Sequence, residues 1–190
     1  SETNSINPGN TYKITLEAIN RSDFPVVLQS VKTTNGTVLL QENTTLEPNK
    51  RYEFEATLTS QSKEYSAPYW LKEEGSLGMY KAPPDKIGLP ETPAPEQVQF
   101  NIALSRTELP VVRDVVYKYN DPVDGEVYQP LEVLPEMTVS IADKVLIFPD
   151  RDDRQIPVTL TAGRDNVNGF VQLNYPNGWE VSPAQQTFNM

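Results

Sequence analysis

In the stretch TYKITLEAIN, Tyr12, Ile14, Leu16 and Ala18 alternate with Lys13, Thr15 and Glu17. Side chains of an extended strand point to opposite faces in turn, so this pattern predicts a strand with one buried face. RYEFEATL repeats it, with Tyr52, Phe54, Ala56 and Leu58 inward, and QVQFNIALS repeats it through Val98, Phe100, Ile102 and Leu104. FPVVLQSV is a β-branched, mostly apolar run from Val26 to Val31 and also predicts a strand. Asn35-Gly36, the strongest short hairpin signal, joins it to the strand around VLLQ. LPVVRDVVYKY is expected to be the last strand of this series. Further on, MTVSIA, KVLIFP, QIPVTLTAG, GFVQLNYP and WEVSP predict a second series. No stretch carries a helical period.

Between the two series, NDPVDGEVYQPLEVLP, with Pro122, Pro130 and Pro135, reads as a linker that is extended in places. YKITLEAINRSDFPVVLQSV and IPVTLTAGRDNVNGFVQLNYP share a strand, a polar turn with Asn, Arg and Asp, and a second apolar strand. That is a weak internal repeat of the kind two copies of one sandwich type would leave. The fold class expected is all-β, built from two immunoglobulin-like β-sandwich units. The divisions are residues 1–119 with a proline- and aromatic-rich insertion at 63–96, a linker at 120–135, and a second unit at 136–190. A sandwich of this type takes about seven strands and about 100 residues. The second unit offers about half of that and is expected to be incomplete. Its open sheet edges would then pack on the first unit or pair with a second copy as a homodimer.

Composition narrows the chemistry. A net charge of −10 argues against nucleic acid and anionic membrane surfaces, which need clustered Lys and Arg. No apolar run approaches the roughly 18 residues of a spanning helix. SETNSINPGN has no basic start or apolar stretch of a signal peptide, and it reads as the interior of a longer chain. Cysteine and histidine are both absent. Thiol nucleophiles, thiolate metal sites, imidazole-ligated zinc and imidazole-based acyl transfer are therefore excluded for these residues. No cofactor is expected. Seventeen prolines against nine glycines fit short strands and stiff corners.

One stretch breaks the alternation. KEYSAPYWLKEEGSLGMYK crowds Tyr65, Tyr69, Trp70 and Tyr80 together with a proline and two glycines, at no regular period. Flat rings beside carboxylates that accept from hydroxyls are what a sugar-binding face needs, and Tyr65, Tyr69, Trp70, Glu73 and Tyr80, with Glu74, supply those types. The competing reading is packing: Trp70 lies mostly buried, covering a sheet end or docking on another domain, with Pro68 fixing the entry. Asp150, Asp152 and Asp153 in PDRDDR, and Asp121, Asp124 and Glu126 in DPVDGE, are oxygen ligands in type. Neither set has calcium-loop spacing, and Arg151 and Arg154 offset the first, so both read as solvated turns. Asn20, Asn35 and Asn43 begin N-glycosylation patterns, which a bacterial source would make meaningless. Trp179, after Gly178, reads as a core or edge anchor.

YSAPYWLKEEGSLGMY, IGLPETP and VVYKYNDPVDGEVYQPLEVLP resemble the region C-terminal to the catalytic domain of long PIG-L (LmbE-like) deacetylases from Bacteroidetes-type bacteria. The second unit, with NGWEVSPAQQTF, is similar to sandwich domains appended to bacterial glycosidases. Together the resemblances cover most of residues 60–190. Such deacetylases use zinc on a His-Pro-Asp-Asp type motif to remove acetyl groups from N-acetylated sugars. That motif is missing here, so no catalytic residue carries over. The resemblance implies a non-catalytic region of an exported, periplasmic or secreted enzyme, with the catalytic domain as its partner. The alternative is a carbohydrate-binding module whose partner is glycan.

Overall fold

The computed structural model describes residues 1–143, 145–150 and 152–190, in two compact units, Ser1–Leu134 and Pro135–Met190. Among the described residues every regular element is a strand, apart from one 3₁₀ turn at Tyr69–Leu71. The chain is all-β, as its alternation predicts.

Unit 1 places two sheets on one core. β1 (Ser5–Ile6) is followed by β2 (Thr11–Ile19), β3 (Val26–Thr33), β4 (Val38–Leu46) and β5 (Arg51–Thr59). After the aromatic insertion come β6 (Gln97–Leu104), β7 (Thr107–Asp114), β8 (Val116–Asp121), β9 (Gly125–Pro130) and β10 (Glu132–Val133). β2 pairs antiparallel with β5, while the second sheet has the order β4-β3-β6-β7. Tyr12, Ile14, Leu16 and Leu58 from the first sheet share the core with Leu28, Val31, Leu46 and Val98 from the second.

β3 shows how the register serves that core. Leu28 and Val31 are both completely buried, although three positions apart on a regular strand should face opposite ways. Against β6, Leu28 pairs with Ile102 and Ser30 with Asn101, so Gln29 is an extra residue on β3. This bulge shifts the alternation by one and turns both side chains inward. The β3–β4 connection follows the Asn-Gly signal. Gly36, at φ 94°, donates its N–H to Thr33 O at 2.9 Å, a backbone that glycine adopts without strain.

Two expectations are corrected in this unit. LPVVRDVVYKY is two strands, because Val115 is buried and donates its N–H to Glu96 O at 2.9 Å. The chain leaves one sheet there and enters the next hairpin. Of residues 120–135, expected to be a linker, all but Pro135 are built into unit 1. β8 and β9 pair from Val116↔Pro130 to Asp121↔Gly125, β10 pairs parallel with β1, and Leu131 and Val133 are core residues. The prolines mark ends: Pro122 lies in the hairpin loop, Pro130 closes β9 and Pro135 opens unit 2. At such positions the missing N–H removes no interior ladder bond.

Unit 2 holds two separate antiparallel pairs. β11 (Met137–Ile141) pairs with β12 (Val158–Ala162), and β13 (Asn168–Val171) pairs with β14 (Gln186–Asn189). Here too the pattern misleads in places. Val145–Phe148 of KVLIFP and the WEVSP segment form no strand, and Lys144 lies outside the described residues. The closing strand is Gln186–Asn189. Both copies of the repeat nevertheless cross between sheets: β2 and β3 belong to different sheets, as do β12 and β13.

Candidate functional site

The insertion between β5 and β6 divides into a fixed stem and a projecting tip. At the stem, Ser66 donates its N–H to Val133 O at 2.8 Å, and Val133 donates its own to Ser66 Oγ at 2.9 Å. Because β10 is itself tied to β1, this fastens the segment to the body of unit 1. Pro68 lacks an N–H and sits at φ −55°, ψ 127°, directing the chain into the 3₁₀ turn, where Leu71 N–H bonds Pro68 O at 3.0 Å.

Tyr69 is the ring in the interior, 7 % exposed. Its N–H donates to Thr92 Oγ1 at 2.9 Å and its hydroxyl to Leu89 O at 3.1 Å. Thr92 in turn donates its hydroxyl to Ala67 O at 2.9 Å. One threonine thus joins the two arms of the insertion, and a buried phenol finds the polar partner it needs. Trp70 is half-buried and meets Tyr69 edge to face, with centroids 4.9 Å apart and planes at 87°. Lys72 and Glu64 pair at the top of the stem; that hydrogen bond and the lysine charge hold the Glu64 carboxyl below its ordinary pKa.

Beyond Lys72 the side chains face outward. Ser76 and Met79 exchange backbone bonds at 3.0 and 3.1 Å, with Leu77 and Gly78 (φ 78°) at the apex. A Cβ on Gly75 would stand 2.7 Å from Met79 O, so the tight turn requires glycine there. Leu77 is fully exposed, Met79 and Tyr80 are each 70 % exposed, and Ile87 and Leu71 are exposed as well.

The predicted site residues therefore separate. Tyr69 and Trp70 come together. Tyr65 and Tyr80 are exposed and make no ring–ring contact among the described residues. Glu73 and Glu74 are exposed on the tip. Thr92 and Ser66, which position the stem, were not singled out in the sequence because a hydroxyl in a proline-rich loop carries no periodic signal. Leu77 and Met79 had a signal, in the glycines at 75 and 78 that bracket an apolar residue.

The other candidates are occupied by local structure. Asp121 Oδ1 accepts from the amides of Val123 at 2.8 Å and Asp124 at 3.0 Å, and these bonds lower its pKa. Glu126 is bound by Lys118 at 2.6 Å. Asp150 accepts from the Asp152 amide and pairs with Arg154 at 3.3 Å, while Arg151 lies outside the described residues. Among the described residues no three carboxylates gather as a metal would require. Asn20 is buried; it donates to Phe24 O and Leu46 O and accepts from Ser22, so its amide shapes the β2–β3 corner. Trp179 is half-exposed and stands edge-on to Phe148, centroids 4.6 Å apart.

No helix among the described residues is long and apolar enough to cross a membrane. No family model matches the chain, and neither the curated proteins nor the solved structures contain a match to it.

Proposed function

We propose that the chain is the non-catalytic accessory region of an exported PIG-L-type deacetylase, made of immunoglobulin-like units, and that the tip of its insertion docks on the catalytic domain. The observation that carries this reading is the pairing of a hydrogen-bonded stem with an apolar apex. Leu77, Met79 and Tyr80 are exposed on a segment held by Ser66, Tyr69 and Thr92. Exposed large apolar side chains gathered in one place favour an interaction surface. Holding them on a fixed stem reduces the ordering cost of association. The resemblance of YSAPYWLKEEGSLGMY and DPVDGEVYQP to the deacetylases supplies the identity of the partner.

The reading requires a zinc-deacetylase domain in the same reading frame. Joined to that domain, the wild-type chain should raise its melting temperature. Leu77→Glu combined with Met79→Glu should abolish the increase without unfolding unit 1. The reading fails if no such domain is encoded there, or if the double variant stabilises as well as wild type. The carbohydrate-binding alternative draws on the exposed rings of Tyr65 and Tyr80. It would be favoured if their alanine variants lost retention on immobilised glycan while the melting temperature of the joined protein stayed unchanged.

A further inference from the structure

A second feature of unit 1 lies where β5 ends. The first sheet stops at β5, and between its last residues, the β3–β4 turn and the entry to β6 there is an open concavity of about 350 Å³. Hydroxyl and amide side chains dominate its lining, among them Thr33, Thr57, Thr59 and Gln61, and Glu96 is the one charged residue in it. Glu96 is held from below, where the buried Ser60 donates its hydroxyl to Glu96 Oε1 at 2.8 Å. Tyr12 packs beneath, opposite the lining residue Leu58 across the β2–β5 pair. It is 6 % exposed, and its buried hydroxyl lies beside Glu96. Burial first, and then the Glu96 charge beside it, push the Tyr12 pKa up, so the phenol keeps its proton.

We propose that this concavity binds a protonated primary amine carried on a hydroxylated carbon frame, with Glu96 as counter-ion and the threonine hydroxyls and Gln61 as partners for the frame. A single carboxylate among neutral oxygen and amide groups selects one positive charge; a calcium ion would need several more anionic or carbonyl ligands. The volume is that of a small-ligand site. The net charge of −10 draws cations toward the surface, and the carboxylate, partly shielded from water and oriented by Ser60, fixes where the ammonium sits.

The test is amide-shift titration of the full chain with glucamine and with sorbitol, polyols that differ chiefly in carrying an ammonium or a hydroxyl. Glucamine is expected to shift the amides of Thr33–Thr37, Thr57–Ser62 and Glu96, binding at least about tenfold more tightly than sorbitol. Glu96→Gln, whose amide oxygen still accepts from Ser60, should bring glucamine down to the sorbitol level. Thr57→Val, an exposed substitution that leaves the fold intact, should weaken glucamine about threefold and serves if the Glu96 variant does not fold. Equal binding of the two polyols overturns the proposal. So do glucamine shifts scattered over the acidic surface, or undiminished binding by either folded variant.

Discussion

The stem and the tip of the insertion are built from similar residues and differ in how those residues are used. Tyr69 and Tyr80 are both tyrosines in a proline- and glycine-rich segment, yet one is 7 % and the other 70 % exposed. The stem surrounds its ring with partners: Thr92 on the backbone N–H, Leu89 O on the hydroxyl and Trp70 on the ring. At the tip, the turn bonds between Ser76 and Met79 constrain the backbone while leaving the side chains outside. Aromatic content therefore marks neither core nor binding face by itself. What decides is whether the neighbouring chain supplies polar partners for the backbone and for the ring's polar atom.

Substitutions should separate the two halves, most strongly at the rings. Tyr69→Ala should destabilise unit 1 by about 3–5 kcal/mol, the penalty for deleting a large buried aromatic. Leu77→Ala should change stability by less than about 0.5 kcal/mol, as exposed positions do. Denaturant unfolding checks both, and equal costs would erase the distinction between stem and tip. Thr92→Val should cost about 1–3 kcal/mol, because it leaves the Tyr69 N–H and the Ala67 carbonyl without their partner. A loss confined to hydrogen exchange at 64–71, with no global effect, would show that the stem opens independently of the sandwich.

Smaller effects belong to the tip and to the junction. Gly75→Ala must move the Met79 carbonyl, which a Cβ would approach to 2.7 Å. The expected outcome is faster exchange at Ser76 and Met79 with the melting temperature of unit 1 unchanged. The Glu64–Lys72 pair gives the smallest change, and its sign follows from the depressed Glu64 pKa. Its contribution is present above the ordinary glutamate value, near 4.5, and is lost as pH falls through the lower folded value. Glu64→Gln should therefore slightly reduce stability at pH 7 and flatten the acid limb. Thermal unfolding at pH 7 and pH 3 measures the difference, and both side chains being at the surface keeps it small.

Much of unit 1 was legible in the alternation of β2, β5 and β6, because each presents one face to a core that other strands cover. The β3 bulge was not legible. Which of Gln29 and its neighbours is the extra residue depends on the strands beside it. Residues 120–135 misled because proline reports where ladder bonds are missing, and it does so equally at strand ends and in linkers. Unit 2 misled for a different reason. Val145, Ile147 and Phe170 have strand-like patterning and are exposed. Periodicity records which residues would share a face without recording whether a surface arrives to cover it. At the candidate site the residue types were visible, but the separation of Tyr69 from Tyr80 depends on Thr92 and Ser66, which no periodicity marks.

Amide hydrogen exchange across residues 62–96 tests most directly whether a fixed stem presents a free apolar tip for docking. In the chain alone, Ser66, Tyr69 and Leu71 should exchange slowly and Leu77, Gly78 and Tyr80 rapidly. With the proposed deacetylase partner joined, the stem should stay slow and the tip should slow by at least about tenfold. A tip already protected in the chain alone would make it part of unit 1's own packing. A tip equally fast in both states would contradict docking.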